Sequence, residues 1–404
     1  MADADVVVLN TCTVTAAADV ELRAEVRRIH RARPEARIVV TGCYAQRAPE
    51  ELAALPGVEW VVGNSHKVEI PDLVSGAAEF HGEIRVGPAR QGEIKVGMIG
   101  REFFAAPVED SLGDRTRPNL KVQDGCSNAC SFCIIPSVRG RSRSAPADDV
   151  VAQVRALAAK YREVVLSGIN LGRWGRDFTG SGLRLVDLVR RLLDETPVER
   201  LRLSSVEPMD FSDALLELMA ESGRIARHVH APLQSGSDTV LRRMHRKYRP
   251  RHYADRIAKA RAWMPECAVG ADVMTGFPGE TEAEFEDSRA FIENLPFTYL
   301  HVFPYSERPG TPAAEAAHQV PPELRKQRAN VLRALADEKS RAFRQGLVGK
   351  RLSVVSLESG RVGLSDNYIK VTLTHRREKN RMEDVAIGGV TADGLHEVGC
   401  LPVL

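Results

Sequence analysis

The sequence predicts an α/β chain in three parts: an N-terminal open α/β domain over residues 1–75, a partial (β/α)6 barrel of the TIM type over 112–342, and a small β-barrel over 346–404. Three observations carry this expectation. Short β-branched runs at 5–10 and 36–41 each end in a polar or glycine turn, as buried parallel strands do. From Asn119 onward apolar runs alternate with helical patterns, as serial βα units require. From Gly349 the pattern changes to short alternating strands, the habit of a small closed barrel.

The totals set outer bounds. A chain of 404 residues exceeds one ordinary core. A net charge of +2 means that a nucleic-acid partner must be met by local basic patches, since there is no global field. Seven cysteines behind an acidic start, Met1-Ala-Asp-Ala-Asp5, with no charged-then-apolar targeting pattern, favour metal or redox chemistry in a reducing compartment over a disulfide framework. No apolar run approaches the ~18 residues of a membrane helix. The expectation is a soluble cytoplasmic protein with no membrane partner.

Taken in order, the first domain holds strands at 5–10, 36–41 and 58–62, with a helical pattern over 17–32. Cys12 and Cys43 follow the first two strands, at the sheet edge where open α/β folds bind ligands. Two packing cysteines are the alternative. Residues 67–117 read as a polar connector rich in Pro and Gly. Barrel strands are expected near 120–123, 163–166, 200–203, 228–230, 269–274 and 299–303, and helices over 148–160, 185–193, 212–221 and 282–294. A charged helical run covers 322–345. The terminal strands fall at 351–357, 367–373, 382–387 and near Val398.

The chemistry concentrates in residues 122–136, where Cys126, Cys130 and Cys133 fall inside eight residues with the spacing C-x-x-x-C-x-x-C. Three thiolates from one loop can turn toward an iron–sulfur cube and leave its fourth iron open to a substrate. Zinc prefers four closed ligands, and no His or Cys follows closely to supply the fourth. Further candidates follow strand ends, the face where such barrels carry their chemistry: Gly168 and Asn170, Ser205 and Glu207, Gln234, and the turn from Gly276 to Glu280. Each alone also reads as an ordinary turn. Phosphate contacts need cations, which Arg139, Arg141 and Arg143 supply after the cysteine loop, and Arg242, Arg246 and Lys247 within the acid-free run 242–252. A solvated charged face is the alternative there. Lys370, Arg376, Arg377 and Lys379 add a third basic surface in the terminal barrel. Cys267 and Cys400 have no ligand-like neighbours and read as small hydrophobes.

With Phe132 before its last cysteine, the loop resembles that of the radical S-adenosylmethionine (SAM) superfamily. Joined to Asn10-Thr-Cys12-Thr-Val14 and Thr41-Gly-Cys43-Tyr-Ala-Gln46, it makes nearly the whole chain resemble the methylthiotransferases. The stretches Asn119 to Cys126, Val240 to Tyr248 and Leu300 to Ser306 point among these to the tRNA threonylcarbamoyladenosine methylthiotransferases. The resemblance implies a 4Fe–4S cluster on Cys126, Cys130 and Cys133 that chelates SAM, and a second cluster on the N-terminal cysteines Cys12 and Cys43 through which sulfur arrives. It implies SAM contacts from Gly168 and Asn170 at the methionine end, Ser205 and Glu207 at the ribose, and Gln234 and Gly276 beyond. The terminal barrel resembles a TRAM domain. The implied reaction converts N6-threonylcarbamoyladenosine next to the anticodon of tRNA to its 2-methylthio form, with an electron donor and a sulfur donor as partners. Isopentenyladenosine in tRNA and an aspartate of a ribosomal protein are the alternatives within the family. An RNA-binding iron–sulfur protein without turnover is the alternative outside it. The family's first domain opens with an earlier strand and helix carrying a third cysteine, and here Met1 stands just before the first strand. The expectation is therefore that the chain as written cleaves SAM, inserts sulfur weakly, and has a start codon further upstream.

Overall fold

Four parallel strands, β1 (Val6–Thr11), β2 (Arg37–Gly42), β3 (Val58–Gly63) and β4 (Glu93–Lys95), pair in chain order in the computed structural model, which describes residues 4–76, 93–103 and 116–399. β2 lies second in the sheet and is buried from Ile38 onward, because both of its faces are covered. Ile38, Val40, Tyr44, Leu52 and Val61 form the core of one side. The helix Ala16–Ala32 begins at Thr15, whose hydroxyl accepts the Ala18 N–H. β4 lies inside the stretch read as connector. Its three residues are too few to show a period, and only its pairing with β3 makes it a strand.

The chain divides into two compact units. One comprises Met1–Phe104 with Gly125–Ser142 and Ser306–Ala316, and the other Ala105–Asp124, Arg143–Tyr305 and Ala317–Leu404. Three domains are expected from sequence. Instead the terminal barrel shares a unit with the central strands, and the cysteine loop is grouped with the N-terminal sheet.

The second unit holds β5 (Asn119–Asp124), β6 (Arg143–Ser144), β7 (Glu163–Gly168) and β8 (Arg200–Leu203) in the order β6-β5-β7-β8, with only β6 antiparallel. β9 (His228–His230), β10 (Ala268–Thr275) and β11 (Tyr299–Pro304) form a parallel sheet ordered β11-β10-β9. Leu201 bridges to Ile225 just before β9, so six parallel strands follow in chain order, as a partial TIM-type barrel requires. Val164, Leu166, Leu203, Val229, Val269 and Val273 are buried on the helix side. The alternate positions, among them Glu163, Arg202, His228 and His230, are polar and meet one another across the inside. Helices Ala147–Ala158, Leu185–Glu195, Asp213–Glu221, Glu282–Asn294 and Pro322–Gln345 match the sequence expectation closely. The helix Pro250–Trp263 does not announce itself. It buries only Tyr253, Ile257 and Ala260, a stripe too narrow to stand out of a basic run.

The terminal barrel closes in the order β12-β13-β14-β16-β15, from β12 (Arg351–Ser356), β13 (Val362–Ser365), β14 (Lys370–Thr372), β15 (Met382–Val390) and β16 (Leu395–Glu397). The strand expected over 367–373 is broken, because Tyr368 sits at φ +65° in the turn between β13 and β14. That turn closes the amino end of the central barrel. Arg202 donates to the Ser365 and Asp366 carbonyls at 3.0 Å each, and the Tyr368 ring stacks on His228 with centroids 4.5 Å apart.

Candidate active site

The five cysteines expected to hold clusters all belong to the first unit. Thr11 pairs with Gly42 at the ends of β1 and β2, so Cys12 and Cys43 leave neighbouring strands side by side. The approach demands glycine at 42, with φ +102° and an added Cβ only 2.3 Å from the Thr11 carbonyl. Cys12 is exposed, and its Sγ accepts the Val14 N–H at 3.4 Å. The segment beyond it is held by a buried network: Asp19 accepts from Thr13 at 2.7 Å and pairs with Arg308 at 2.8 Å and Arg47 at 3.1 Å. Cys43 is buried against Ile134 and Val138 of the short helix Ile135–Arg139 and its lead-in, and its Sγ accepts from Arg139 Nε at 3.1 Å and Asn64 Nδ2 at 3.6 Å. Arg139 is therefore turned toward sulfur. A guanidinium there would offset the charge of a thiolate, a role different from the phosphate contact expected of it.

Cys126, Cys130 and Cys133 are half-buried on one loop and form no disulfide among the described residues. The loop turns at Gly125, where φ is +67° and an added Cβ meets the Arg141 carbonyl at 2.1 Å. It closes through the Cys126 N–H on the Gly140 carbonyl at 3.0 Å and the Cys133 N–H on the Cys130 carbonyl at 3.1 Å. The Asn128 N–H donates to Cys126 Sγ at 3.4 Å. Among the described residues, the one His, Cys, Asp or Glu set whose ligand atoms all lie within 4.8 Å of one another is His230, Asp272 and His301, and it contains no cysteine. Three cysteines on one loop, with the Asn128 N–H turned to the Cys126 sulfur, suit an iron–sulfur cluster.

The remaining candidates lie in the second unit. Gly168 ends β7, and an added Cβ would meet Gln123 at 2.9 Å; the Gln123 side chain accepts the Asn170 N–H at 2.7 Å. Both positions are thus set by packing against β5, with Asn170 buried. Gln234 is buried at φ +64°, with Oε1 lacking a hydrogen-bond partner among the described residues. A strained backbone that buries an unpaired amide oxygen fits a ligand contact. Ser205 is half-buried beyond β8. Glu207 forms an ion pair with Arg246, whose guanidinium lies over the Tyr248 ring.

Three expectations need correcting. Arg246 is buried with Glu207, and Arg143 is buried 3.7 Å from Asp124, so neither guanidinium is presented to a phosphate. Arg141, Arg242 and Lys247 are exposed, though Arg242 pairs with Asp238 at 2.8 Å. Gly276 is a glycine for its neighbour and its turn: φ is +71°, an added Cβ would meet Arg325 Cγ at 2.3 Å, and its N–H is taken by Glu280 Oε1 at 2.8 Å. In the terminal barrel Arg377 is spent on Glu383 and Glu397.

Sequence reasoning missed the polar column inside the barrel. Tyr299 Oη lies 2.6 Å from His228 Nε2 and 2.9 Å from His230 Nδ1, and Asp272 Oδ1 lies 3.3 Å from His230 Nε2 and 3.1 Å from His301 Nδ1. Burial holds His228 well below the ordinary imidazole range and so neutral. Burial opposes ionisation of Asp272, yet the two imidazoles outweigh it and hold the carboxyl well below its ordinary range. The signal was present: polar residues at 228 and 230, and at 299 and 301, recur at the strand period within apolar runs.

Cys267 is fully buried, its thiol donates to the Ala268 carbonyl at 3.3 Å, and burial pushes its pKa up to about 12. Iodoacetamide should leave it unlabelled in the folded protein and label it after denaturation, as read by peptide mass spectrometry. Labelling in the native state would contradict this. Cys400 lies outside the described residues.

Residues 120–292 match the Radical SAM superfamily, and residues 1–63 match the Uncharacterized protein family UPF0004. The chain is 39% identical over 382 residues to the Threonylcarbamoyladenosine tRNA methylthiotransferase MtaB of Bacillus subtilis, covering 91% of this chain and 82% of that one. Its counterpart in Aquifex aeolicus is 36% identical, covering 95% and 91%. A tRNA-2-methylthio-N(6)-dimethylallyladenosine synthase of Parafrankia is 37% identical, covering 88% and 71%. Among solved structures, the radical S-adenosylmethionine methyltransferase TsrM from Kitasatospora setae aligns with a TM-score of 0.57 at 19% identity, over 76% of this chain and 65% of that one. That likeness is one of fold.

Proposed function

From the premise that the chain belongs to the radical SAM tRNA methylthiotransferase family, we propose that it converts N6-threonylcarbamoyladenosine next to the anticodon of tRNA to its 2-methylthio derivative. The observation that carries this substrate is the span of the match, which takes in 82% and 91% of two relatives named for that nucleoside. The family uses a 4Fe–4S cluster and SAM. Cys126, Cys130 and Cys133 hold that cluster, and with SAM it supplies the one-electron chemistry that opens an unactivated C–H bond on the adenine ring, which no side chain is basic enough to attack. Cys12 and Cys43, on adjacent strand ends in the same unit as the loop, supply thiolates to a second cluster on the sulfur-delivery path. An electron donor, a sulfur donor and a second SAM that gives up its methyl group complete the stoichiometry.

The rest of the chain positions and excludes. Tyr368, stacked on His228, and the carbonyls bound by Arg202 pack against the amino end of the barrel and hold its inner side chains in place. Gln234 offers its buried amide oxygen to SAM. Arg141 and Lys247, with Lys370, Arg376 and Lys379 of the terminal barrel, are exposed cations that phosphates can reach. No helix among the described residues is long and apolar enough to cross a membrane.

The test is nucleoside mass spectrometry of tRNA from a strain deleted for this gene, in which 2-methylthio-N6-threonylcarbamoyladenosine should vanish and its unthiolated precursor accumulate. Loss of the 2-methylthio-isopentenyl nucleoside would assign the enzyme to the other substrate, the reading favoured by the relative from Parafrankia.

A further inference from the structure

We propose that His301, held with His230 and Asp272 inside the central barrel, grips the polar end of the threonylcarbamoyl group, so that these residues decide which modified adenosine is accepted. The inference rests on the substrate class proposed above and adds the residues that select it.

The placement comes from strand register. Gly270 of β10 pairs with His230 of β9 and with Tyr299 of β11, and two residues further along Asp272 pairs with His301. The inward side chains therefore stack in layers that rise from the plugged amino end. His228 and Tyr299 meet Tyr368 in the lowest layer, with ring centroids at 4.5 and 5.8 Å. The imidazoles of His230 and His301 lie above them, 5.3 Å apart. Tyr299 packs directly on Gly270, where an added Cβ would meet its ring at 2.0 Å. Above, the column opens: the His301 side chain is 59% exposed although its ring contacts point inward to His230 and Tyr299.

The chemistry follows from the hydrogen bonds. His301 faces Asp272 through Nδ1, so its Nε2 is the ring nitrogen left for a ligand. His230 faces Tyr299 through Nδ1; its Nε2 is 3.3 Å from Asp272 yet makes no hydrogen bond among the described residues, on a side chain only 8% exposed. His301 Nε2 is thus the donor that the trio offers outward, while His230 braces the same carboxylate from the buried side. Asp272 is engaged by both imidazoles, so it presents to the chamber two rings whose donors it orients. The threonylcarbamoyl group carries a carboxylate and a hydroxyl. An isopentenyl group carries neither, and would gain no hydrogen bond from His301 Nε2. A site built on hydrogen bonds rejects an analogue that lacks them far more strongly than an apolar pocket rejects an extra polar group.

The experiment uses the full chain, reconstituted with iron and sulfide, and compares wild type with His301→Leu and His301→Gln. Two substrates are assayed, an anticodon stem-loop carrying threonylcarbamoyladenosine and the same stem-loop with plain adenosine. Wild type should bind the modified stem-loop at least about tenfold more tightly, the scale of one charge-assisted hydrogen bond. His301→Leu should erase that preference and raise the KM for the modified substrate by a similar factor, with kcat changing less. His301→Gln, which keeps a donor, should recover part of it. If wild type methylthiolates threonylcarbamoyladenosine and His301→Leu keeps the full preference, the inference falls while the proposed function stands. If wild type shows no preference for the modified stem-loop, both fall. Stoichiometric zinc retained by wild type and lost from His301→Leu would make the trio a metal site and overturn the anchor.

Discussion

Alanine at Cys126, Cys130 or Cys133 should lower the release of 5'-deoxyadenosine from SAM by at least ~1000-fold, the scale of removing a catalytic group outright. Iron content should fall with it, because an iron without its thiolate leaves the cluster open to loss. The fold should survive. The loop is shaped by the Gly125 turn and by the Cys126 N–H on the Gly140 carbonyl, and it is anchored by Ile134 and Val138 against Cys43, none of which needs a thiol from the three. An unchanged melting curve beside lost iron and lost SAM cleavage is the expected pattern. Cys267→Ala is the control and should keep both iron and turnover, since that thiol is buried with Arg261 and a backbone carbonyl for neighbours. A loop variant with full iron and full SAM cleavage would overturn the assignment.

Glu163→Gln should destabilise the second unit by about 3–5 kcal/mol, the usual result of stripping one partner from a buried ion cluster. Glu163 is the first residue of β7 and is fully buried. Its carboxylate lies 2.8 Å from Arg202, 3.2 Å from Arg117 and 3.3 Å from Arg200. Burial opposes its ionisation, yet the three guanidiniums outweigh that and bring its pKa from 4.5 to about 2. A depressed carboxylate pKa stabilises the fold above the unfolded value and ceases to do so as pH falls through the folded one. The shift is worth on the order of 3 kcal/mol, present at neutral pH and lost between about pH 4.5 and pH 2. Urea midpoints should therefore drop for wild type across that window, and Glu163→Gln should lack this component. A variant as stable as wild type at pH 7 would sink the argument. The same charges hold Arg202 where it binds the Ser365 and Asp366 carbonyls, so the substitution should also loosen the closure of the barrel's amino end.

Much of the fold was legible from period alone. The inner strands of the barrel and five of its helices stand where the apolar patterns place them, because each buries a wide face that the sequence must mark. Short or narrow elements were not legible. β4 has three residues, the helix Pro250–Trp263 buries a thin stripe, and the run from Asn367 to Leu373 looks continuous until Tyr368 turns through a left-handed conformation. Arg246 shows the same limit at the level of a side chain. In sequence it belongs to a basic run, and only the approach of Glu207, 39 residues away, makes it internal.

The sequence by itself determined the candidate ligands, since a metal cluster requires a particular element at a particular spacing and Cys126, Cys130 and Cys133 offer both within one loop. It also determined the order of the strands, which hydrophobic period encodes locally. What surrounds the proposed chamber was decided only in three dimensions. Arg139 serves sulfur, Gly276 makes room for Arg325, Tyr368 closes a barrel that lies far from it in sequence, and His230, Asp272 and His301 meet across three strands. The partners in these pairings lie from 29 residues apart, as with Asp272 and His301, to 140, as with Tyr368 and His228. No local pattern records such pairings, because burial and charge act on distance in space, and the chain sets that distance only when its strands take their register.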